Sequence, residues 1–192
     1  DSGLSITEWK PISGIIPPLS SRDWGEEFVK YRQTTEYQTV NKGMSLDAFK
    51  TIFWWEWADR ALARLIGIVF VLPLAFFWLT GRLDAEHKKR LLLLLALGGL
   101  QGLIGWCMVK SGLVNRVDVS QYRLAVHLLM ATIIFAYALW LARGLADQIF
   151  AEAPEGSAAS AKWLTVLIFI QIGLGGLVAG LDAGMAYNTW PL

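Results

Sequence analysis

Four apolar runs, residues 61–81, 91–109, 124–142 and 163–181, constrain this chain more than any other feature of its sequence. They are interrupted only sparsely, by Arg64 in the first, Gln101 in the second, His127 in the third, and Thr165 with Gln171 in the fourth. Each is long enough to cross a hydrocarbon core of about 30 Å as a helix. Lipid offers no partners to backbone N–H and C=O groups, and the runs are continuous rather than alternating, so helices are expected and barrel strands are not. The fold class is therefore all-α, a polytopic membrane helix bundle with four transmembrane helices. The composition, 55% hydrophobic and 17% charged, agrees with that class. Seventeen basic residues against sixteen acidic ones leave a net charge of +1, with no basic excess to attract nucleic acid. The single cysteine, Cys107, forms no internal disulfide and reads as a packed membrane residue.

The connections place the chain across the bilayer. Loops 82–90 and 143–162 carry Arg82, Lys88, Lys89, Arg90, Arg143 and Lys162, whereas loop 110–123 carries Lys110, Arg116 and Arg123. This bias puts the first pair of loops on the cytoplasmic side and residues 1–60 outside, since long segments translocate largely regardless of charge. Four regions follow: an extracytoplasmic segment with interfacial helices over 1–60, three transmembrane helices over 61–142, a cytoplasmic loop over 143–162, and a fourth helix with the start of an outer loop over 163–192. The 1–60 segment lacks the basic start and apolar core of a signal peptide.

Within that segment, residues 23–40 are expected to be helical, with Trp24, Phe28 and Tyr31 on one face at i, i+4 and i+7. Ser45 is an expected N-cap, and nothing from Leu46 to Phe70 breaks a helix, so the first span should begin well before its apolar part. From Leu46 to Leu79 it would run about 50 Å, placing Phe53, Trp54, Trp55 and Trp57 at the interface. Pro73 should kink it, and Gly98, Gly99, Gly102 and Gly105 give the second span a face for close helix contact.

The opening residues 1–11 are echoed at 182–191, from Asp182-Ala-Gly to Thr189-Trp190-Pro191, directly after a span. The first copy should then also follow a span. The repeat implies a duplicated architecture and a reading frame that extends in both directions.

Charge at membrane depth is the main chemical signal. Glu56, Arg60 and Arg64 stand at i, i+4 and i+8 on one helix face, with Asp59 beside them, where the first span enters the membrane. An interfacial ladder of ion pairs is the plain reading; a functional cluster is the other. His127, four residues into the third span, shares that depth. It is able to ligate haem iron, shuttle protons or bond a neighbouring carbonyl. Arg123 lies one turn earlier on the same face, a pairing that suits a ligand with a metal at its centre and a carboxylate at its edge. His87 sits in a basic loop without such a role, and Gln101 and Gln171 are expected to bond between helices. No phosphate loop, Cys-x-x-Cys, His-Glu-x-x-His or nucleophile elbow occurs.

Several segments together resemble the haem A synthase family, in its alphaproteobacterial and mitochondrial form. They are Ser2-Gly-Leu-Ser-Ile-Thr-Glu-Trp-Lys-Pro11, Ile52-Phe-Trp-Trp-Glu-Trp57 with Arg60, Gln101-Gly-Leu-Ile-Gly-Trp106, Met108-Val-Lys-Ser-Gly-Leu113, Tyr122-Arg-Leu-Ala-Val-His127, Ala179-Gly-Leu-Asp-Ala-Gly184 and Tyr187-Asn-Thr-Trp-Pro191. The resemblance covers nearly the whole chain and matches the second to fifth of eight spans arranged as two four-helix halves. It implies oxidation of the methyl group of haem O to the formyl group of haem A, with electrons leaving through a haem B held by the second half, beyond this chain. It also implies Glu56 as the catalytic acid, His127 as the iron ligand, and Arg60 as a binding residue. Arg123 joins them as a propionate candidate from depth and spacing. Asp59 stands where the family has an iron-ligating histidine, replacing a neutral nitrogen donor by a hard anionic one.

The partners implied are the haem O substrate, membrane lipid, haem O synthase, the terminal oxidase whose assembly needs haem A, and a second copy of the chain. The location implied is a bacterial or mitochondrial inner membrane. Two other readings stand beside this one: a b-type haem-binding or haem-delivery protein without synthase activity, which Asp59 would fit, and half of a transporter or channel.

Overall fold

The computed structural model describes residues 15–112, 119–145 and 156–186. Among them are seven helices and no strand: α1 (Ser21–Tyr31), α2 (Thr35–Thr39), α3 (Leu46–Leu79), α4 (Ala85–Gly112), α5 (Gln121–Leu145), α6 (Ser157–Ala179) and α7 (Ala183–Ala186). The first repeat copy, the end of the second, Arg116 and the centre of the 143–162 loop lie outside the described residues. Four helices, α3 to α6, are long and apolar enough to cross a membrane, which is the expected number. The protein is an integral membrane protein. The described residues form two compact units, the first with α1–α3 and the last turn of α4 from Val109, the second with the rest of α4 and α5–α7.

In the first unit, Ser20 caps α1 in a reciprocal box: its Oγ accepts from the Asp23 N–H at 3.1 Å, and its own N–H donates to Asp23 Oδ2 at 3.0 Å. The hydroxyl and N–H of Ser20 hold the Asp23 carboxyl below the ordinary carboxylate range. The single helix expected over 23–40 is instead two. The Thr34 hydroxyl donates to the Tyr31 carbonyl at 2.7 Å and accepts from the Tyr37 N–H at 3.3 Å, so one side chain closes α1 and opens α2. The face carrying Trp24, Phe28 and Tyr31 packs on the start of α3. Tyr31, Phe49 and Phe53 are buried there, with Trp24, Phe28 and Tyr37 against them. The Tyr31 and Phe49 rings stack at 5.1 Å, and Trp24 meets Phe53 edge-on at 5.0 Å.

A polar knot closes this aromatic core. Asn41 Nδ2 donates to Tyr31 Oη at 2.8 Å and to Glu36 Oε1 at 3.1 Å, and Tyr31 Oη donates to the same Glu36 oxygen at 3.4 Å. Burial pushes the Tyr31 phenol up to about 12 from its ordinary 10.0. Ser45 caps α3 as expected, accepting from the Ala48 N–H at 3.2 Å, and the helix continues through Pro73 to Leu79. It stops at Gly81, whose positive φ of 69° lets Gly81 N–H reach the Trp78 carbonyl and Arg82 N–H reach that of Phe77.

In the second unit, α4 begins before its apolar run because Asp84 accepts from the His87 N–H at 2.8 Å. Its other oxygen lies 2.6 Å from His87 Nδ1, and these bonds hold the Asp84 carboxyl below its ordinary range. His87 is thus spent on a helix start. α4 and α5 run antiparallel: the Tyr137 hydroxyl donates to the Arg90 carbonyl at 3.3 Å, the Arg90 guanidinium lies 5.0 Å from the Trp140 ring, and further along Gln101 meets His127.

Of the four glycines expected to bring α4 against a neighbour, Gly105 does so, at His127 of α5, while a methyl group built at Gly98, Gly99 or Gly102 meets nothing within 4 Å. Closer contacts come from Gly173 and Gly176 on α6 and from its C-cap Gly180, which lie against α5. A β-carbon at Gly176 would sit 2.9 Å from Ala125 Cα, and one at Gly180 2.5 Å from Gln121 Cα. Helix α6 starts at Ser157, inside the segment read as loop, because 157–161 is rich in alanine, the strongest helix former. Cys107 and Gln171 are exposed rather than packed, so of the two glutamines expected to bridge helices Gln101 does so.

Candidate functional site

The candidate residues fall in both units. On α3, Glu56 and Arg60 are one turn apart, and the helix repeat brings their side chains together in a direct ion pair. Both are largely buried, with the Glu56 side chain 11% and that of Arg60 16% exposed. Removing two charges from water is costly, so each partner relies on the other to offset it. Arg64 is half-buried further along the same face. Asp59, by contrast, is exposed. The cluster read from the sequence therefore resolves into a buried Glu56–Arg60 pair with Asp59 off it.

Trp57, expected only at the interface, is half-buried against the aromatic core, edge-on to Trp54 at 5.5 Å. Its indole Nε1 is buried with no hydrogen-bond partner among the described residues. A tryptophan adjacent to a buried carboxylate gave no signal in the sequence beyond its position.

On α5, His127 is half-buried and faces α4. Gln101 Nε2 donates to the His127 carbonyl oxygen at 3.1 Å and lies 3.3 Å from the ring Nε2. Gly105, one turn beyond Gln101, gives the ring its room: a β-carbon there would stand 3.0 Å from His127 Cε1. Arg123 is exposed, one turn before His127 on the same helix. Sequence reasoning placed Gln101 and Gly105 on one span without joining them to His127; their i, i+4 spacing is the signal that links them.

Among the described residues, no three His, Cys, Asp or Glu side chains gather to hold a metal ion. One imidazole on a glycine-floored face suits a different group, a haem, whose macrocycle supplies four donors and asks the protein for one or two axial ligands. The residues present fit that group through His127.

All 192 residues match the model of a family described as cytochrome oxidase assembly protein. Curated relatives named "Heme A synthase" from Chelativorans sp. and Agrobacterium fabrum are each 63% identical over the whole of this chain, and one from Sinorhizobium fredii is 58% identical. The chain spans about half the length of these relatives, 53% in each case. No solved structure matches it. With its full length matched, the chain belongs to the cytochrome oxidase assembly protein family.

Proposed function

We propose that this chain is part of a haem A synthase, which oxidises the methyl group of haem O to the formyl group of haem A. The observation that carries the reading is the buried Glu56–Arg60 pair on α3, in a chain so close to proteins named for that activity. Arg60 fixes the Glu56 carboxylate in one orientation. So held, Glu56 stabilises positive charge developing at the methyl carbon and accepts a proton from the attacking water. His127 holds the iron of the substrate haem through a ring nitrogen, and Arg60 and Arg123 pair with its propionates.

Residues of a second four-helix half would hold a haem B, which when bound would give the electrons their exit. Residues 1–60 lie on the outer side of a bacterial or mitochondrial inner membrane, 61–142 form the substrate half, 143–162 the cytoplasmic loop, and 163–192 open the second half of a duplicated architecture. Haem O synthase, the terminal oxidase and a second copy of the chain are its proposed partners. The loop charges support this orientation, and the 1–11 and 182–191 repeat supports the duplication.

The exposure of Asp59 favours one second reading, a b-type haem-binding or haem-delivery protein, because an exposed carboxylate outside the Glu56–Arg60 ion pair would be a poor replacement for the histidine that the family has there. Substitution separates the two. In the full-length protein, Glu56→Gln should keep bound haem and lower haem A formation by about 100-fold or more, the usual worth of a positioned acid or base. Haem A output unchanged in Glu56→Gln and Glu56→Ala would remove this carboxylate from the chemistry.

A further inference from the structure

Two distances fix which end of the Gln101 amide faces His127. The atom 3.1 Å from the His127 carbonyl oxygen must be a donor, because two carbonyl oxygens at that separation would repel; it is therefore the NH2 group. The same NH2 lies 3.3 Å from the ring Nε2, and a group with no lone pair to offer can only donate to it. Nε2 is then the bare nitrogen, and the neutral ring carries its proton on Nδ1, a buried atom that makes no hydrogen bond to a described residue, so among the described residues the choice of tautomer rests on the Gln101 amide. Gly105 supplies the space in which the ring holds this position, since any larger residue would put a β-carbon 3.0 Å from Cε1.

We propose that Gln101 and Gly105 form the seat of His127, and that Gln101 is a positioning residue which sets the imidazole tautomer so that Nε2 keeps its lone pair. This rests on the reading of His127 as an iron ligand. A metal takes the unprotonated ring nitrogen, so the tautomer held by Gln101 is the one needed for ligation at Nε2. Ligation then exchanges one neutral hydrogen bond for an iron–nitrogen bond, while the Gln101 NH2 remains on the His127 carbonyl and keeps α4 registered against α5.

Opposite changes at position 101 have opposite consequences. Gln101→Leu removes the donor and frees the ring to populate both tautomers. Gln101→Glu offers a carboxylate that accepts from the ring, drawing the proton onto Nε2, the nitrogen the iron would need.

The test is histidine-selective ¹⁵N labelling of the full-length protein in detergent, with the His127 signals assigned by their loss in His127→Gln. Bare and protonated ring nitrogens resonate far apart, so the tautomer is read directly, without haem. The haem-free protein should show His127 protonated at Nδ1, with a mixture in Gln101→Leu and a proton at Nε2 in Gln101→Glu. Haem B is then titrated in, counting as His127-bound only the fraction lost in His127→Ala. Gln101→Glu should weaken that fraction by about ten-fold, the scale of one hydrogen bond made on the wrong nitrogen.

His127 signals and haem titrations identical in wild type, Gln101→Leu and Gln101→Glu would overturn the proposal and leave the haem A synthase reading standing. Signals that follow Gln101 as expected, in a protein that binds no haem through His127, would keep the tautomer seat and overturn both its tie to ligation and the His127 ligand assignment. Gly105→Ala checks the floor of the seat: it should move the same ring signals, and their constancy would show that the ring does not depend on that space.

Discussion

Glu56 and Arg60 differ from every other charged pair described in this chain by their burial. The Arg22–Glu26 pair, with the same i, i+4 spacing, is 86% and 58% exposed at its side chains, against 16% and 11% for Arg60 and Glu56. Both pairs follow from the same spacing, and they differ in burial: exposed pairs are worth little, whereas charges held out of water are kept at a cost, which is what the proposed role of Glu56 builds on. Arg60→Leu should therefore do more than remove a contact. It leaves the Glu56 carboxylate without its guanidinium, and formation of haem A should fall by at least about ten-fold even where haem is retained, if charge-assisted orientation is its role. Assay of extracted haems against bound haem in the same preparation checks this. The sequence made the cluster of Glu56, Asp59, Arg60 and Arg64 legible as a group but not its division. Asp59 lies only three residues from Glu56, and which side chain is covered depends on packing that a one-helix reading leaves open. Gly105 was legible as a small residue and hidden as a partner of His127, because the register of α4 against α5 is a tertiary fact.

At the scale of elements, the long apolar helices followed the sequence closely: α3 has both ends expected for it, Ser45 and Leu79, because cap and glycine signals frame it. The element that broke, residues 23–40, did so at Thr34, whose side chain competes for backbone groups against the helix. The polar knot there has its own consequence. With the Tyr31 phenol at about 12 in the folded state and 10.0 when exposed, the unfolded chain loses this proton first as pH rises. Its contribution is fully present below 10 and is lost as pH rises through about 12, so the α1–α3 core should loosen across that window. Fluorescence of Trp24, which borders the core, against tyrosinate absorbance would follow it; a core indifferent to pH there would contradict the burial of Tyr31. Asn41→Leu should destabilise the same unit by about 1–3 kcal/mol, since buried Glu36 and Tyr31 lose a shared donor, as thermal unfolding would measure. At the C-cap of α6, Gly180→Val drives a β-carbon to within 2.5 Å of the α5 backbone at Gln121 and should cost about 1–3 kcal/mol, whereas the same change at Gly98, which meets nothing, should lack that clash. Thermal stability of the two variants compares them directly.

At the scale of the whole molecule, the apolar helices present most of their large hydrophobic side chains outward, Leu62, Ile66, Val69 and Leu72 on α3 and Leu164, Leu167 and Leu174 on α6 among them. A bilayer makes this arrangement stable, because hydrocarbon is as apolar as the side chains, and helix association then rests on close packing and on polar contacts such as Gln101 with His127. The four-helix count and membrane class were legible from hydropathy alone, whereas the glycine contacts between α5 and α6 were not, since nothing in their spacing distinguishes them from the open glycines of α4. The family resemblance read from the motifs agrees with the full-length match to relatives named for haem A synthesis. The direct test is to express the full-length protein, with Asp59 as it stands, beside a haem O synthase in a host that makes no haem A, and to resolve the extracted haems by chromatography and mass. The account predicts a haem A peak that Glu56→Gln abolishes; only haem O and haem B, from both the native protein and an Asp59→His variant, would contradict it.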